Sequence, residues 1–361
     1  MTARPPVDVA VVGAGIIGCL TAREILARAP GSTVTVLDRD AVGSGASRRS
    51  AGLHFPRGGT GQVRRMTAYS QDYYAELTDL LPGLPIHPLA MSVVSADESR
   101  LREQYLASAE PLRTDRVPGE LVRVPEGAGV WEVTGGQYAD VHGLTRELFG
   151  SLRGQVEVRE GVAVRALLPG SDHVTLWLGT GEELTARQVV LAPGPWIAAP
   201  AWQELLAPLG VRVKKVVALH IERRPAPGDH AIVLQDEDAF LLPLHDRGHW
   251  LFSYTCQEWD VDPDELTDGL RPADLRDALA ALRALAPGLA EHCTSGRVFC
   301  DAYSGTGEPL VRALPADSRL IFAGAANGSG YRLAPAIAAQ AADLLHLLPT
   351  SGSLAMSGSQ Q

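Results

Sequence analysis

Basic clusters are missing from this sequence. Its formal net charge is -10 over 361 residues, with Lys+Arg 32 against Asp+Glu 42. No stretch gathers lysines and arginines as a nucleic-acid or anionic-membrane surface requires. Lysine is almost gone: Lys214 and Lys215 are the only two. Cysteine is sparse as well. Cys19, Cys256, Cys293 and Cys300 form no CxxC pair and no Cys/His group at zinc spacing. No apolar run reaches membrane-spanning length. The first ten residues carry Asp8 where a signal peptide would be apolar. These absences lead to the expectation of a soluble, reduced, cytoplasmic protein without nucleic-acid or membrane partners. The small polar stretch 350–361, TSGSLAMSGSQQ, is expected to be a disordered tail.

Hydrophobic residues make up 45% of the chain, enough for a sizeable core, and the length suits two domains or one elaborated one. The stretch VDVAVVGAGIIGCLTAREILARA reads as a β-branched strand, a glycine turn and an amphipathic helix. Gly13, Gly15 and Gly18 give G-x-G-x-x-G. The first permits a tight turn, the second close approach of a diphosphate, and the third close packing of helix on strand. The diphosphate would meet the free N–H groups of the helix N-terminus. A second strand ends at Asp38, 20 residues after Gly18, where an acceptor for a ribose hydroxyl belongs. An acid there argues against a 2′-phosphate and hence against NADP.

The fingerprint alone does not choose between NAD and FAD. Three later stretches favour the longer ligand. AVGSGASRRSAGLHFPRGG follows Asp38 and is built for backbone to lie close to a ligand. ELTARQVVLAPGPWI is a strand feeding the turn Ala192-Pro193-Gly194. SRLIFAGAANGSGYRLAPAIAAQ is a third strand–loop–helix. Three widely spaced loops converging on one Rossmann-like core suit FAD.

The chain resembles the FAD-dependent amine and amino-acid oxidoreductases that include D-amino-acid oxidase, glycine oxidase and monomeric sarcosine oxidase. The resemblance spans about residues 6 to 347. It rests on DVAVVGAGIIG, GASRRSAG, YADVHGLTRELF, VEVREGVAVRAL, VVLAPGPWI and GSGYRLAPAIA. It implies an α/β and α+β fold in which a Rossmann-like FAD-binding domain of the glutathione-reductase type interleaves with a mixed-sheet substrate domain. The expected FAD-binding segments are 1–86, 140–210 and 296–349, and the expected substrate-binding segments 87–139 and 211–295. Alternating strands around 156–191, strand-rich sequence over 211–259 and a helix opening at Pro272 fit that order.

The resemblance also implies the site. Gly13, Gly15, Ile16, Ile17, Gly18, Asp38 and Arg39 would hold the ADP half. Gly45, Ala46, Ser47, Arg48, Gly52 and Leu53 would run along the diphosphate and flavin, although Arg48 and Arg49 also read as a solvated pair. Val164 would lend backbone bonds to the adenine. Ala192 and Gly194 would line the cofactor, with Pro193 where many relatives have threonine. Gly328, Ser329, Gly330 and Tyr331 would lead to Arg332, whose planar, permanently charged fork would grip the substrate carboxylate over the flavin.

His54 stands where sarcosine-type relatives carry a second carboxylate-binding arginine; it reads equally as a packed histidine. Tyr254 and His245 come from the strands expected to roof the site, where aromatic residues also serve as core. Leu251 stands near the place of a lysine that activates O2 in sarcosine-type enzymes, so the electron acceptor, O2 or another, stays open. Cys300 is one residue further from Tyr303 than the flavin-linking cysteine of some relatives, which leaves a covalent link through Cys300 beside non-covalent binding.

The function implied is oxidation of the C–N bond of an amino acid or secondary amine. Hydride would pass to flavin N5, and the resulting imine would hydrolyse to a keto acid or aldehyde. A 2-hydroxy-acid oxidase or dehydrogenase, a non-catalytic flavin-binding subunit and a plain NAD dehydrogenase are the alternatives.

Overall fold

The computed structural model describes residues 5–115 and 121–347. The expected disordered tail lies outside the described residues.

Valine and leucine fill most of the strands Val7–Val12 and Val34–Leu37 and the buried end, residues 189–191, of the strand Glu183–Leu191, the pattern of strands covered on both faces. They pair in parallel at the centre of the first sheet. The strand Val156–Arg159 extends it beyond Val34–Leu37, and Asp317–Gly324 lies beside Glu183–Leu191. Val12 faces both Leu37 and Leu191, and Leu191 faces Phe322. The carboxyl ends of these strands are therefore level. Gly13, Asp38, Ala192 and Ala325 all leave from one edge, the edge at which open parallel sheets bind ligands. Such convergence is why three glycine-rich stretches far apart in sequence can serve one ligand.

Two helices cover one face of this sheet. The cradle helix, Ile16–Arg28, packs against the terminal helix, Gly330–Leu344, where Ala334, Ala336, Ala338 and Ala341 are buried. The terminal helix opens at Gly330, so Pro335 is inside it. Proline cannot donate to the carbonyl four residues back. That carbonyl, of Tyr331, instead accepts the hydroxyl of the fully buried Tyr74 at 2.7 Å.

The second sheet has eight strands in the order Cys293–Tyr303, Arg212–Ile221, His249–Tyr254, Ala239–Leu244, Ala231–Leu234, Met91–Ser95, Gly129–Val133 and Leu112–Thr114. Strand Cys293–Tyr303 pairs along its length with Arg212–Ile221 of this sheet and crosses residue 296, where the sequence suggests a domain boundary. Side chains alternate across the sheet. Val217, Leu219, Trp250 and Phe252 pack under Ala278 and Leu282 of the helix Pro272–Leu285. Buried Lys215 ties this helix down through Asp274 at 2.6 Å and also pairs with Glu258. The opposite face looks toward the carboxyl edge of the first sheet. Between the two lies a small sheet of Leu53–His54, Gln137–Ala139 and Ile86–Pro88.

Candidate active site

A cavity of about 1210 Å³ lies between the carboxyl edge of the first sheet and the inward face of the second. It exceeds the usual range for a drug-sized ligand, roughly 300–1,000 Å³. Its floor is backbone. Gly13 has φ +107°, and a Cβ there would lie 2.2 Å from the Ala192 carbonyl oxygen. A Cβ on Gly18 would lie 1.9 Å from the Gly13 carbonyl oxygen. Both positions demand glycine, and the strand–helix approach they allow leaves the N-terminus of the cradle helix facing the cavity.

Asp38 lines the cavity, and its carboxylate accepts from Ala14 N at 2.7 Å and Asp40 N at 2.9 Å. Burial nevertheless holds its pKa above the ordinary carboxylate value. Ser47 Oγ accepts from Ile16 N at 3.0 Å and so ties the 46–52 segment to the cradle helix. A pocket of this size, with a glycine floor and an acid at the end of the second strand, fits a dinucleotide as long as FAD.

Of the expected cofactor residues, all but Arg48 line this cavity. Arg48 is a correction. It is exposed and lines a separate narrow pocket behind the 47–51 segment. Arg39 is at the rim, with its charge engaged by Asp264 at 3.0 Å and its guanidinium 4.5 Å from the Trp196 ring centroid.

Arg332 is in the first turn of the terminal helix, 8% exposed, and lines the cavity. It has no acidic partner among the described residues. A cation at a helix N-terminus opposes the helix dipole, so helix stability does not explain it. Its Nη1 donates to the Arg57 carbonyl at 2.5 Å and, at 3.5 Å, to that of Phe55; its Nη2 donates to Ser329 Oγ at 2.6 Å. Its guanidinium is also 4.4 Å from the Phe55 ring centroid. Arginine has five N–H donors, so two stay free. Burial and the neighbouring Arg57 depress its pKa to about 9, which still leaves it charged at neutral pH.

Three expected substrate residues do not reach the cavity. His54 is fully buried, with neither ring nitrogen hydrogen-bonded, and its ring stands edge-on to Tyr74 at 6.2 Å. Burial and Arg332 push its pKa down to about 3, so it packs as a neutral ring behind Arg332. Tyr254 lies on the wrong face of its strand: Ser253 and Thr255 line the cavity, while Tyr254 packs toward the helix Pro272–Leu285. His245 is in a single turn outside the cavity, within 3.2 Å of the Asp229 carbonyl oxygen.

The same alternation corrects Cys300. Phe299, Asp301 and Tyr303 line the cavity; Cys300, 3% exposed, points away, and burial pushes its thiol up to about 12. A buried, protonated thiol on the far face is not placed to link a flavin.

Sequence reasoning missed two groups. Arg57 lines the cavity with Nε on Gln104 Oε1 at 2.9 Å and supplies a second cation close to Arg332, three residues from the His54 that stands where relatives carry an arginine. A cue was present in Arg57-Gly58-Gly59, a long cation beside flexible backbone. The other group is the roof. Asp301 faces the cavity without a hydrogen-bond partner among the described residues, and burial pushes its pKa up to about 7. Opposite it in register, Lys214 lines the cavity with its ammonium 4.8 Å from the Trp259 ring centroid and 5.7 Å from that of Tyr303. Burial depresses the Lys214 pKa. The cavity thus has cations on the floor and an unpaired carboxyl on the roof.

Comparison with known proteins agrees with this architecture. The family described as DAO, FAD dependent oxidoreductase, matches residues 8–344. A glycine oxidase of Pseudomonas aeruginosa is 30% identical over 300 residues, covering 77% of this chain and 80% of that protein. A 4-methylaminobutanoate oxidase (formaldehyde-forming) of Paenarthrobacter nicotinovorans is 27% identical over 268 residues, 67% of this chain and 31% of that protein. The structure of glycine oxidase from Geobacillus kaustophilus superposes with a TM-score of 0.76 at 19% identity, covering 96% of each chain. The glycine cradle, the converging strand ends and a match over nearly the whole length place this chain in the DAO family of FAD-dependent oxidoreductases.

Proposed function

We propose that this enzyme oxidises the C–N bond of a small amine that also bears a carboxylate, an amino acid or a secondary amino acid. The observation that carries this reading is Arg332, a buried cation with two free donors, no acidic partner among the described residues and an FAD-sized cavity before it. Bound FAD supplies the two-electron oxidant. The residues named above for the glycine floor, Asp38 and the 45–53 segment would hold it.

Arg332 takes the carboxylate bidentately, and Arg57 adds a second positive charge at the same wall. Fixing the carboxylate fixes the adjacent carbon and nitrogen, which is where an oriented substrate gains most. Asp301 accepts a proton from the substrate ammonium, so the amine loses a proton and the carboxyl gains one. The walls of the second sheet, with Phe240, Phe299 and Tyr303, exclude water. The product imine is hydrolysed to a carbonyl compound and the free amine. The relatives named for glycine and 4-methylaminobutanoate support this reading, since both compounds carry an amine and a carboxylate.

The test is a substrate panel of amino acids, N-methyl amino acids and matched 2-hydroxy acids, with release of ammonia or methylamine measured. Turnover of hydroxy acids alone would refute the amine assignment. Stoichiometric flavin that no panel member reduces under anaerobic conditions would refute catalysis on these substrates altogether.

A further inference from the structure

A second basic site lies behind the cofactor segment. Arg48, Arg247 and Arg297 line a pocket of about 20 Å³, room for one small polyatomic ion or a water or two. Asp140 is the acid in its lining, and it pairs with Arg247 at 2.9 Å. The lining therefore carries two unbalanced positive charges, in a chain whose net charge is -10.

Arg297 is only partly satisfied among the described residues. Its Nη2 donates to the Ser50 carbonyl at 3.2 Å, but its buried Nε has no partner. Orphaned buried donors of this kind are rare, and a charged one is costly. Its pKa falls to about 10, through burial first and then through Arg247 and Arg49. His220 stands close by with its own buried Nε2 unpartnered, 5.3 Å ring to ring from His249. The depressed pKa of His220, at about 4, comes from burial, Arg297, His249 and Arg247 in turn. His220 is therefore neutral, and the charged groups at the pocket are Arg48, Arg247 and Arg297, with Asp140 as the one acid in its lining.

We propose that this pocket binds a phosphate-class oxyanion, either free phosphate or the phosphoryl end of a larger molecule. Two net positive charges, planar guanidinium forks and a narrow volume match a compact, doubly charged anionic group. The site is coupled to the cofactor cradle. Ser47, Ser50 and Ala51 wall both this pocket and the large cavity, and Ser47 Oγ accepts from the cradle helix. An anion held here would brace the 47–51 segment from behind.

Thermal unfolding and calorimetry of the holoenzyme test this, with inorganic phosphate titrated against sodium chloride at matched ionic strength. The expected result is a saturable rise in Tm with phosphate, with Kd below about 1 mM, and slower release of FAD on dilution. Arg297→Gln should weaken phosphate at least tenfold. Should that variant fail to fold, the more exposed Arg48→Gln and Arg247→Gln together should do the same. Binding of phenyl phosphate as well would identify the occupant as a phosphoryl group on a larger molecule. Binding of inorganic phosphate alone would identify the free ion. A Tm response no larger than that to chloride, or undiminished phosphate affinity in the variants, would overturn the proposal.

Discussion

Replacing Arg332 with alanine probes the proposed function most directly. The guanidinium spends three of its five N–H donors on the Phe55 and Arg57 carbonyls and Ser329 Oγ, and leaves two without an acceptor among the described residues on a side chain that lines the cavity. A carboxylate taking both forms a bidentate, charge-assisted pair away from bulk water. Truncating one partner of such a buried pair costs about 2–5 kcal/mol. At about 1.36 kcal/mol per decade, kcat/KM should fall about thirty- to five-thousand-fold. The fold should suffer less. Two good hydrogen bonds to protein groups are lost, worth about 1 kcal/mol each. Against that loss, the variant no longer buries a cation whose pKa is held down near 9.

The assay is anaerobic flavin reduction at limiting substrate, run with an amino acid and with the same amine lacking its carboxylate. The amino acid should lose the full factor, and the simple amine should change little. Arg332→Lys should fall between, because it keeps the charge and loses the fork. If Arg332→Ala binds FAD normally and stays within about threefold of the parent on every carboxylate substrate, the carboxylate is held elsewhere and the argument from the unpaired cation fails.

Asp301→Asn bears on the roof. Its carboxyl titrates near 7 because burial disfavours the ionised form, so the ionised base accumulates as pH rises through 7. The parent kcat/KM should climb through that pH, and the variant should lose this limb. By linkage, the folded state binds this proton more tightly than the unfolded state, so stability from this group is present at low pH and lost as pH rises toward 7. The variant should therefore unfold at a higher temperature than the parent above pH 7, and an unchanged acid limb would remove Asp301 from proton transfer. Gly18→Ala places a Cβ 1.9 Å from the Gly13 carbonyl oxygen and should yield colourless or weakly folded protein; retained stoichiometric flavin would refute the cradle geometry. Acid precipitation of the parent and of Cys300→Ser should send the yellow colour to the supernatant in both. Colour held in the parent pellet alone would show a thioether that the burial of Cys300 argues against.

What could be read from the sequence was whatever the chain settles over short distances. The strand–glycine–helix of residues 7–28 is local chemistry, and Gly13 and Gly18 announce their constraints by having no side chain. The roof is different. In an antiparallel sheet covered on both faces, a shift of one residue exchanges the two faces. The apolar run from His249 to Tyr254 has no polar alternation to reveal which face is inward. Hence the sequence points to Tyr254 where Ser253 and Thr255 line the cavity, and to Cys300 where Asp301 is the residue that faces inward.

Arg57 and His54 show the same limit on a larger scale. The fold alone brings Arg57 beside Arg332, 275 positions away, and of the two basic residues it is Arg57 that lines the cavity. His54, three residues earlier, turns to the core beneath Tyr74. A short strand pairing Leu53 with Tyr138 and His54 with Gln137 sets that choice. Arg332 was legible for a physical reason that survives without the fold. A cation at the start of a helix works against the helix dipole, and nothing nearby in sequence offers it an acid. The structure adds that nothing nearby in space does either among the described residues, and an uncompensated buried charge beside a large cavity is best explained by the charge of what enters it.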